Sequence, residues 1–473
     1  MPSPKTDYGF YSIADLQRAY RTGECTPTDV VDELIFRAKG TEEMNIFITL
    51  NEDCAREQAE LATRSIQQHG MNRNQPLQGI PITVKDLLRT KGLRTTRGSL
   101  VTRDFVPHAD SPSVERLRQA GAVIVGKTNT SEGGWKGDSA NRLLGPSLNP
   151  WNPDHSAGGS SGGAAVAAAM GFGPVAVGTD GGGSVRIPAS FCGVVGFKPS
   201  LGRIPYWPHS SDNLAHVGVL TRNVRDAALS VASMSGPDDR DLLSLSTRPT
   251  DILTRELSES RTLRLGFTTS LGYAQCEPAV KKAICEAVNR LRELGYSVTE
   301  LDLQLPDPFW IFDTLWAGHE AATYWDDLDE KASLLDPGYE RLIRRGRELS
   351  AGELARAHDL RHSYSQALRT ATRDVDILVT PTVPITAFPA DQGEHVVVGG
   401  KQPPGLAWTP FTYPFNLTGQ PAISMPTETS DDGLPIGIQF VGKFGDDRDV
   451  LDIAADYEAN RQWQPAYSTL TSH

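Results

Sequence analysis

A chain of 473 residues with 39% hydrophobic and 22% charged side chains can bury a large core and is too apolar for a disordered protein, and length alone would allow about three domains. A net charge of -12 repels phosphate backbones and anionic lipid, which argues against nucleic acid or an anionic membrane surface as the main partner while leaving room for local basic patches. Five scattered cysteines, Cys25, Cys54, Cys192, Cys276 and Cys285, contain no CxxC pair, which argues against a disulfide framework or a zinc knuckle.

The first ten residues have neither the basic start nor the apolar run of a secretory leader, and no later stretch has about 18 uninterrupted apolar residues. A cytoplasmic protein without a membrane span is expected. Ile13, Leu16 and Tyr20, then Val30, Val31, Leu34 and Ile35, recur at helical spacing on either side of a break at Gly23 to Pro27, so two amphipathic helices are expected. From Gln78 short apolar runs alternate with helical patterns: Ile80 to Leu88, a helix near Ser113 to Ala120, Ala122 to Val125, and Val175 to Val177. Such alternation predicts an α/β protein whose strands are buried on both faces.

The small-residue run Gly162 to Phe172 predicts a central helix lying very close to that sheet. Ser235 to Arg261 is polar and predicts a surface excursion, while Phe309 to Arg373 is helix-rich with charged faces and several aromatics, which suggests a cap over one side. Strand-like runs return at Ile377 to Thr380, Ala422 to Met425 and Ile436 to Val441.

Four patterns could carry chemistry. Gly121 to Thr128 fits the phosphate-loop letters GxxxxGK[ST], but the Ala-Val-Ile-Val between its glycines is itself a strand, so a buried strand ending in a turn is expected. Gly158-Gly-Ser-Ser-Gly162 satisfies GxSxG, yet an elbow must follow a buried strand, and Asn149 to Ala157 is punctuated by prolines and predicts a loop. His358 and His362 stand one helical turn apart without the glutamate of a zinc helix and are expected on a solvated face and not as metal ligands.

The fourth pattern is dispersed. Lys85 ends the apolar run Ile80 to Val84, Ser160 lies in a Gly/Ser cluster, and Ser184 follows Gly181, Gly182 and Gly183. Taken singly these read as a solvated lysine, a turn and a flexible loop. Taken together they fit one another chemically. Three glycines let backbone N–H groups turn toward a developing oxyanion, and Ser184 can supply the attacking oxygen. Ser160 and Ser161 precede the Ala-rich helix, whose positive end favours an alkoxide nearby, and a lysine can act as base if it is neutral.

Gly158 to Gly163, Gly178 to Ala189 and Gly193 to Pro199 together resemble the signature of the amidase signature family. Gly79 to Asp86, Gly121 to Asn129, Leu378 to Thr382 and Pro414 to Pro421 extend the likeness over nearly the whole chain, with matching separations of 75 residues from Lys85 to Ser160 and 24 from Ser160 to Ser184. The resemblance implies one domain over residues 1–473, a catalytic core within 75–205 and a helical cap within 305–373. Its fold would be a central mixed β-sheet covered by helices on both faces.

By the same resemblance Ser184 is the nucleophile of an acyl-enzyme and Lys85 the base, a mechanism that requires no metal or organic cofactor. Ser160, after an unusual cis peptide, would bridge them, while Ser161, Thr179, Asp180 and Arg186 support the site and Gly181 to Gly183 hold the oxyanion. A small-molecule carboxylic amide is the expected substrate, with carbamates and esters open to the same machinery, and a homodimer is left open. Trp135, Lys136, Asp138, Trp207, Phe309, Trp310 and Trp316 are candidates for a substrate pocket, with core or surface packing as the plainer reading of each.

Two other functions compete. The A subunit of tRNA-dependent amidotransferases shares the catalytic block and would need partner chains, although Glu132 to Asp138 resembles the free-standing bacterial amidases more. A catalytically silent binding protein of the same fold would not need all of the expected catalytic residues, which are present.

Overall fold

Apolar alternation and helical periodicity both translate into elements of one sheet-centred architecture. A computed structural model of the protein describes residues 7–246, 263–393, 395–461 and 463–471. Helices α1 (Ile13–Thr22) and α2 (Pro27–Lys39) each open on a capping box, Ser12 with Asp15 and Thr26 with Asp29, which satisfies N–H groups that the first turn leaves free. Then come β1 (Phe47–Leu50), α3 (Glu52–His69), β2 (Pro81–Lys85), α4 (Pro112–Gln119) and β3 (Val123–Thr128). A short hairpin, β4 (Leu148–Asn149) and β5 (Asn152–Ser156), leads into α5 (Gly162–Ala169), β6 (Val175–Asp180), α6 (Arg186–Cys192), β7 (Val195–Lys198), β8 (His216–Thr221) and α7 (Val224–Met234).

The second half begins with β9 (Arg264–Phe267), α8 (Pro278–Glu293) and β10 (Ser297–Glu300). Four consecutive helices follow, α9 (Phe309–Thr323), α10 (Leu328–Lys331), α11 (Pro337–Glu348) and α12 (Ala351–Ala371). The chain returns to the sheet through β11 (Ile377–Pro381), α13 (Tyr413–Leu417), β12 (Ala422–Thr429), β13 (Pro435–Val441) and α14 (Asp447–Asn460).

Eleven strands form one sheet in the order β1-β3-β2-β6-β8-β7-β12-β13-β11-β9-β10. Strand β2 runs parallel to β3 and β6, and β9 runs parallel to β11 and β10, while the remaining pairs are antiparallel. The fold is therefore mixed α/β. Both faces of the sheet are covered: Val175, Val177, Val217 and Val219 join a core with α1, α4, α7 and α14, whereas Ala176 and Leu220 pack with α5 on the other side. Helix α5 comes as close as its composition predicts, since a Cβ on Gly163 would lie 2.5 Å from the backbone nitrogen of Asn129.

Two expectations change. Asn149 to Ala157 is not a plain loop: β4 and β5 pair within it, because Pro150 sits at the turn and Pro153 falls where the two-stranded ladder needs no donor, with register Leu148 to Ser156 and Asn149 to Asn152. This hairpin stands outside the central sheet and ends before the Gly/Ser cluster. The polar stretch from Ser235 is not wholly solvated, since Ser235 and Asp241 are buried and Arg116 donates to the carbonyls of Met234 and Gly236 at 2.8 Å each. Its remainder, 247–261, lies outside the described residues.

Candidate active site

Parallel pairing of β2 with β6 brings the carboxyl ends of both strands to one edge of the sheet, the usual place for a site in such folds. Lys85 is the last residue of β2, and Thr179 and Asp180 are the last of β6. The Lys85 side chain is fully buried. Its Nζ donates to Ser160 Oγ at 2.7 Å, to Thr179 Oγ1 at 2.9 Å and to the Thr179 carbonyl at 3.4 Å. Burial pushes the Lys85 amine well below its ordinary pKa, and the charge of Asp180 only partly opposes this.

Asp180 does not bond to that amine. Its Oδ1 accepts from Gly183 N–H, Arg186 Nη2 and Asn416 Nδ2 at 2.8, 2.9 and 2.9 Å, and its Oδ2 from Val185 N–H and Arg186 Nε at 3.1 and 2.9 Å. Burial alone would raise this carboxyl, but Arg186 and the hydrogen bonds prevail and hold it well below the usual carboxylate range. Arg186 in turn donates to Gln439 Oε1, the Thr412 carbonyl and Asn416 Oδ1 at 2.9, 3.1 and 2.7 Å. A fully desolvated ion pair thus fixes the loop between β6 and α6.

Ser160 follows a cis Gly159–Ser160 peptide, and Gly159 is required by contact, since a Cβ there would stand 2.0 Å from the Asp138 carbonyl oxygen. Ser161 joins the two serine segments: its N–H donates to the Ser184 carbonyl at 3.1 Å and its Oγ to the Thr179 carbonyl at 3.1 Å. Ser160 and Ser184 both border a cavity of about 390 Å³ with Thr179, Gly181 and Trp316. Of the three glycine N–H groups expected to face an oxyanion, that of Gly183 is already donated to Asp180, a correction that follows from its φ of 129 and the turn this imposes. Among the described residues the N–H groups of Gly181, Gly182 and Ser184 have no protein acceptor.

The expected pocket residues separate. Trp316 borders the main cavity and also a second, small one of about 50 Å³, where Trp135, Lys136 and Asp138 are found. Lys136 is paired there with Asp138 and Asp336 at 3.4 and 3.5 Å, and Trp135 stacks on Tyr339. Trp207 does not border the main cavity: its ring lies under the Arg89 guanidinium, 5.0 Å away. Phe309 packs on Tyr413, and Trp310 is exposed, so neither reaches the cavity.

Lys127 of the phosphate-loop letters is the penultimate residue of β3 and is buried, bonded to the Leu88 carbonyl at 2.7 Å and Thr95 Oγ1 at 2.8 Å and paired with Asp86 at 3.6 Å. His358 and His362 lie on α12, and the described residues contain no group of three or more His, Cys, Asp or Glu side chains arranged for a metal. Sequence reasoning missed Thr412, whose Oγ1 donates to the Gly182 carbonyl at 2.7 Å, and Arg89, Arg97, Tyr206, His319 and Glu320 on the cavity wall. Thr412 carries no local signal, whereas Arg97 stands among threonines only 12 residues after Lys85 (97 − 85).

Residues 29–451 match the family model named Amidase. An acylamidase of Rhodococcus erythropolis is 35% identical over 463 residues, covering 96% of each chain, and the A subunit of a glutamyl-tRNA(Gln) amidotransferase of Roseiflexus sp. is 32% identical over 482 residues, again 96% of each. The crystal structure of a bacterial aryl acylamidase of the amidase signature family superposes with a TM-score of 0.91 at 28% identity, covering 98% of both chains. With its buried Lys85–Ser160 contact and glycine loop at the carboxyl edge of the sheet, the chain belongs to the amidase signature family of amide-hydrolysing enzymes.

Proposed function

We propose that the chain is a serine amidohydrolase in which Ser184 attacks the carbonyl of a small carboxylic amide. The observation that carries this reading is the 2.7 Å contact between a fully buried Lys85 amine and Ser160 Oγ, on the wall of the cavity that also holds Ser184. Neutral Lys85 accepts the Ser160 proton while Ser160 takes that of Ser184, whose Oγ forms the new C–O bond. Electrons move onto the carbonyl oxygen, whose charge the N–H groups of Gly181, Gly182 and Ser184 would stabilise. Collapse breaks the C–N bond with the proton delivered to the leaving nitrogen. Water, deprotonated through the same relay, then releases the acid from Ser184.

Carbamates and esters would meet the same machinery. The helices within 305–373 serve as the cap in this reading, supplying Trp316, His319 and Glu320 to the cavity. Five free cysteines support a reducing, cytoplasmic setting. A neutral fluorophosphonate should label Ser184, and Ser184→Ala should lose both labelling and turnover. Label carried on Ser160 would instead return the nucleophile-elbow reading.

The similarity to amidotransferase A subunits at 32% identity favours a second reading, a glutaminase that acts within a complex. Glutamine hydrolysis appearing only after partner chains are added would select it over a free-standing amidase.

A further inference from the structure

Arg97 borders the cavity that holds Ser160 and Ser184, and among the described residues its guanidinium makes no hydrogen bond or ion pair. Its backbone is firmly placed. The Arg97 N–H donates to the Asp86 carbonyl at 3.1 Å, and its own carbonyl accepts from Gly133 N–H at 2.8 Å. Thr96 before it is held by Asp86 Oδ2 at 2.8 Å, and Gly98 after it has no room for a Cβ, which would meet the Thr130 carbonyl oxygen at 2.7 Å. Arg97 itself sits at φ 55, a left-handed conformation that disfavours a long side chain. With both of its peptide groups tethered, Arg97 carries its guanidinium from a fixed backbone position on the cavity wall.

Arg89 stands on the same wall, over the rings of Trp207 and Phe105 at 5.0 and 5.7 Å, and its guanidinium too makes neither a hydrogen bond nor an ion pair among the described residues. Two acids also border the cavity. Glu320 accepts from the Tyr339 hydroxyl, and Asp212 Oδ1 accepts from Ser210 Oγ and from Leu214 N–H at 3.0 Å. Neither approaches Arg97 or Arg89 within the 4.0 Å of an ion pair. The cavity therefore holds two guanidinium cations with no bonded counter-ion, each a planar fork that can match a carboxylate in a bidentate way.

We infer that the substrates are amides bearing an anionic group, a carboxylate remote from the scissile bond, which Arg97 binds directly and Arg89 attracts. The inference rests on Ser184 being the nucleophile of this cavity. Its volume of about 390 Å³ lies in the range of small-ligand sites and admits a compact amide together with such a group.

Two matched pairs of amides test the assignment. In 4-acetamidobenzoate against 4-acetamidotoluene the charge is on the leaving amine, and in N-phenylsuccinamate against butyranilide it is on the acyl group. In at least one pair the wild type should prefer the carboxylate by about 10- to 100-fold in kcat/KM, the range of a hydrogen bond to a charged group. Arg97→Gln should bring that ratio to within about threefold, acting through KM, because the amide head keeps donors but loses the charge. Arg97→Gly should do the same without loss of thermal stability, since the left-handed backbone there suits glycine.

For a probe that is not turned over, the concentration that halves fluorophosphonate labelling is read in place of kcat/KM. A ratio near one in the wild type for both pairs overturns the assignment, as does a preference that survives in both variants. Labelling of Ser184 with flat ratios removes the Arg97 assignment alone. Neither labelling nor turnover removes the nucleophile reading as well.

Discussion

Lys85 Nζ and Ser160 Oγ are 2.7 Å apart in a pocket of hydroxyl and carbonyl groups, and no carboxylate oxygen bonds to the amine. Asp180, whose charge would keep the amine protonated, is turned to Arg186 instead. Burial therefore favours the uncharged amine, and the neutral form is the active one under the proposed relay. Activity should rise with pH through an apparent pKa below the ordinary 10.5, and the rise moves to lower pH as burial depresses the amine further. Lys85→Met should lose that limb and about 10²- to 10⁴-fold of rate, as expected for a general base. Measuring kcat/KM from about pH 5 to 11 checks this, and a flat profile with chemistry rate-limiting would sink lysine as the base.

The same depression predicts a trade of stability for activity. Between the folded pKa and the ordinary 10.5 the unfolded chain binds a proton that the folded site does not, so the lysine's contribution to stability grows as pH rises through that window. Lys85→Met fills similar space without an amine to desolvate, while the Ser160 and Thr179 hydroxyls can rotate to other acceptors. We expect the inactive variant to be more stable by about 0.5–2 kcal/mol at neutral pH. The check is the urea midpoint, with m unchanged.

Buried ion pairs behave in the opposite way when one partner is removed. Asp180→Asn leaves the Arg186 guanidinium desolvated with only neutral acceptors, a loss of about 3–5 kcal/mol, and loosens the loop carrying Ser184. Because the folded pKa of Asp180 is depressed, its stabilisation is complete above the unfolded value near 3.8 and fades only as pH falls toward the folded one. The variant's deficit should therefore be constant at neutral pH and shrink only in strong acid, as read from denaturation at several pH values.

How much of this was legible depends on the reach of each signal. Strands β2, β3 and β6 and helix α5 show in short apolar or small-residue runs, and the glycines before Ser184 mark a loop whose chemistry is local. The hairpin β4–β5 was not legible, because two prolines mask a ladder that avoids their missing donors. Gly183 could not be told from its neighbours as an oxyanion donor, since only the folded Asp180 takes its N–H. Thr412 reaches Gly182 across 230 residues, a distance over which periodicity carries no information. Likewise Trp135, Trp207 and Trp316 look alike in sequence, and only the packing of the helices over the sheet separates a stacked ring from a cavity wall.

Gly159 makes the steric argument sharp. A Cβ at this position would lie 2.0 Å from the Asp138 carbonyl oxygen and 2.1 Å from its carbon, and both are backbone atoms that cannot swing aside. Gly159→Ala should cost about 1–3 kcal/mol of overpacking. Displacement of the neighbouring Ser160 by even about 1 Å should lower kcat about 10²-fold. Retention of full activity would show that the Ser160 backbone is not tightly placed.

Trp316 separates the main cavity of about 390 Å³ from the small one of about 50 Å³, and its ring lies 3.0 Å from where a Cβ on Gly182 would stand. Its Nε1 is enclosed without a hydrogen-bond partner, an unfavourable state for a buried donor. Trp316→Phe removes that donor and keeps an aromatic wall, so stability should change by less than about 1.5 kcal/mol. Trp316→Ala opens one cavity into the other at a cost of about 3–5 kcal/mol. If the small cavity extends the acyl subsite, the Ala variant should lose efficiency on short acyl anilides and gain on longer or aromatic ones, whereas the Phe variant should keep the wild-type order. A series of anilides of increasing acyl length measures this directly, and an unchanged order in Trp316→Ala would place the acyl group elsewhere in the main cavity.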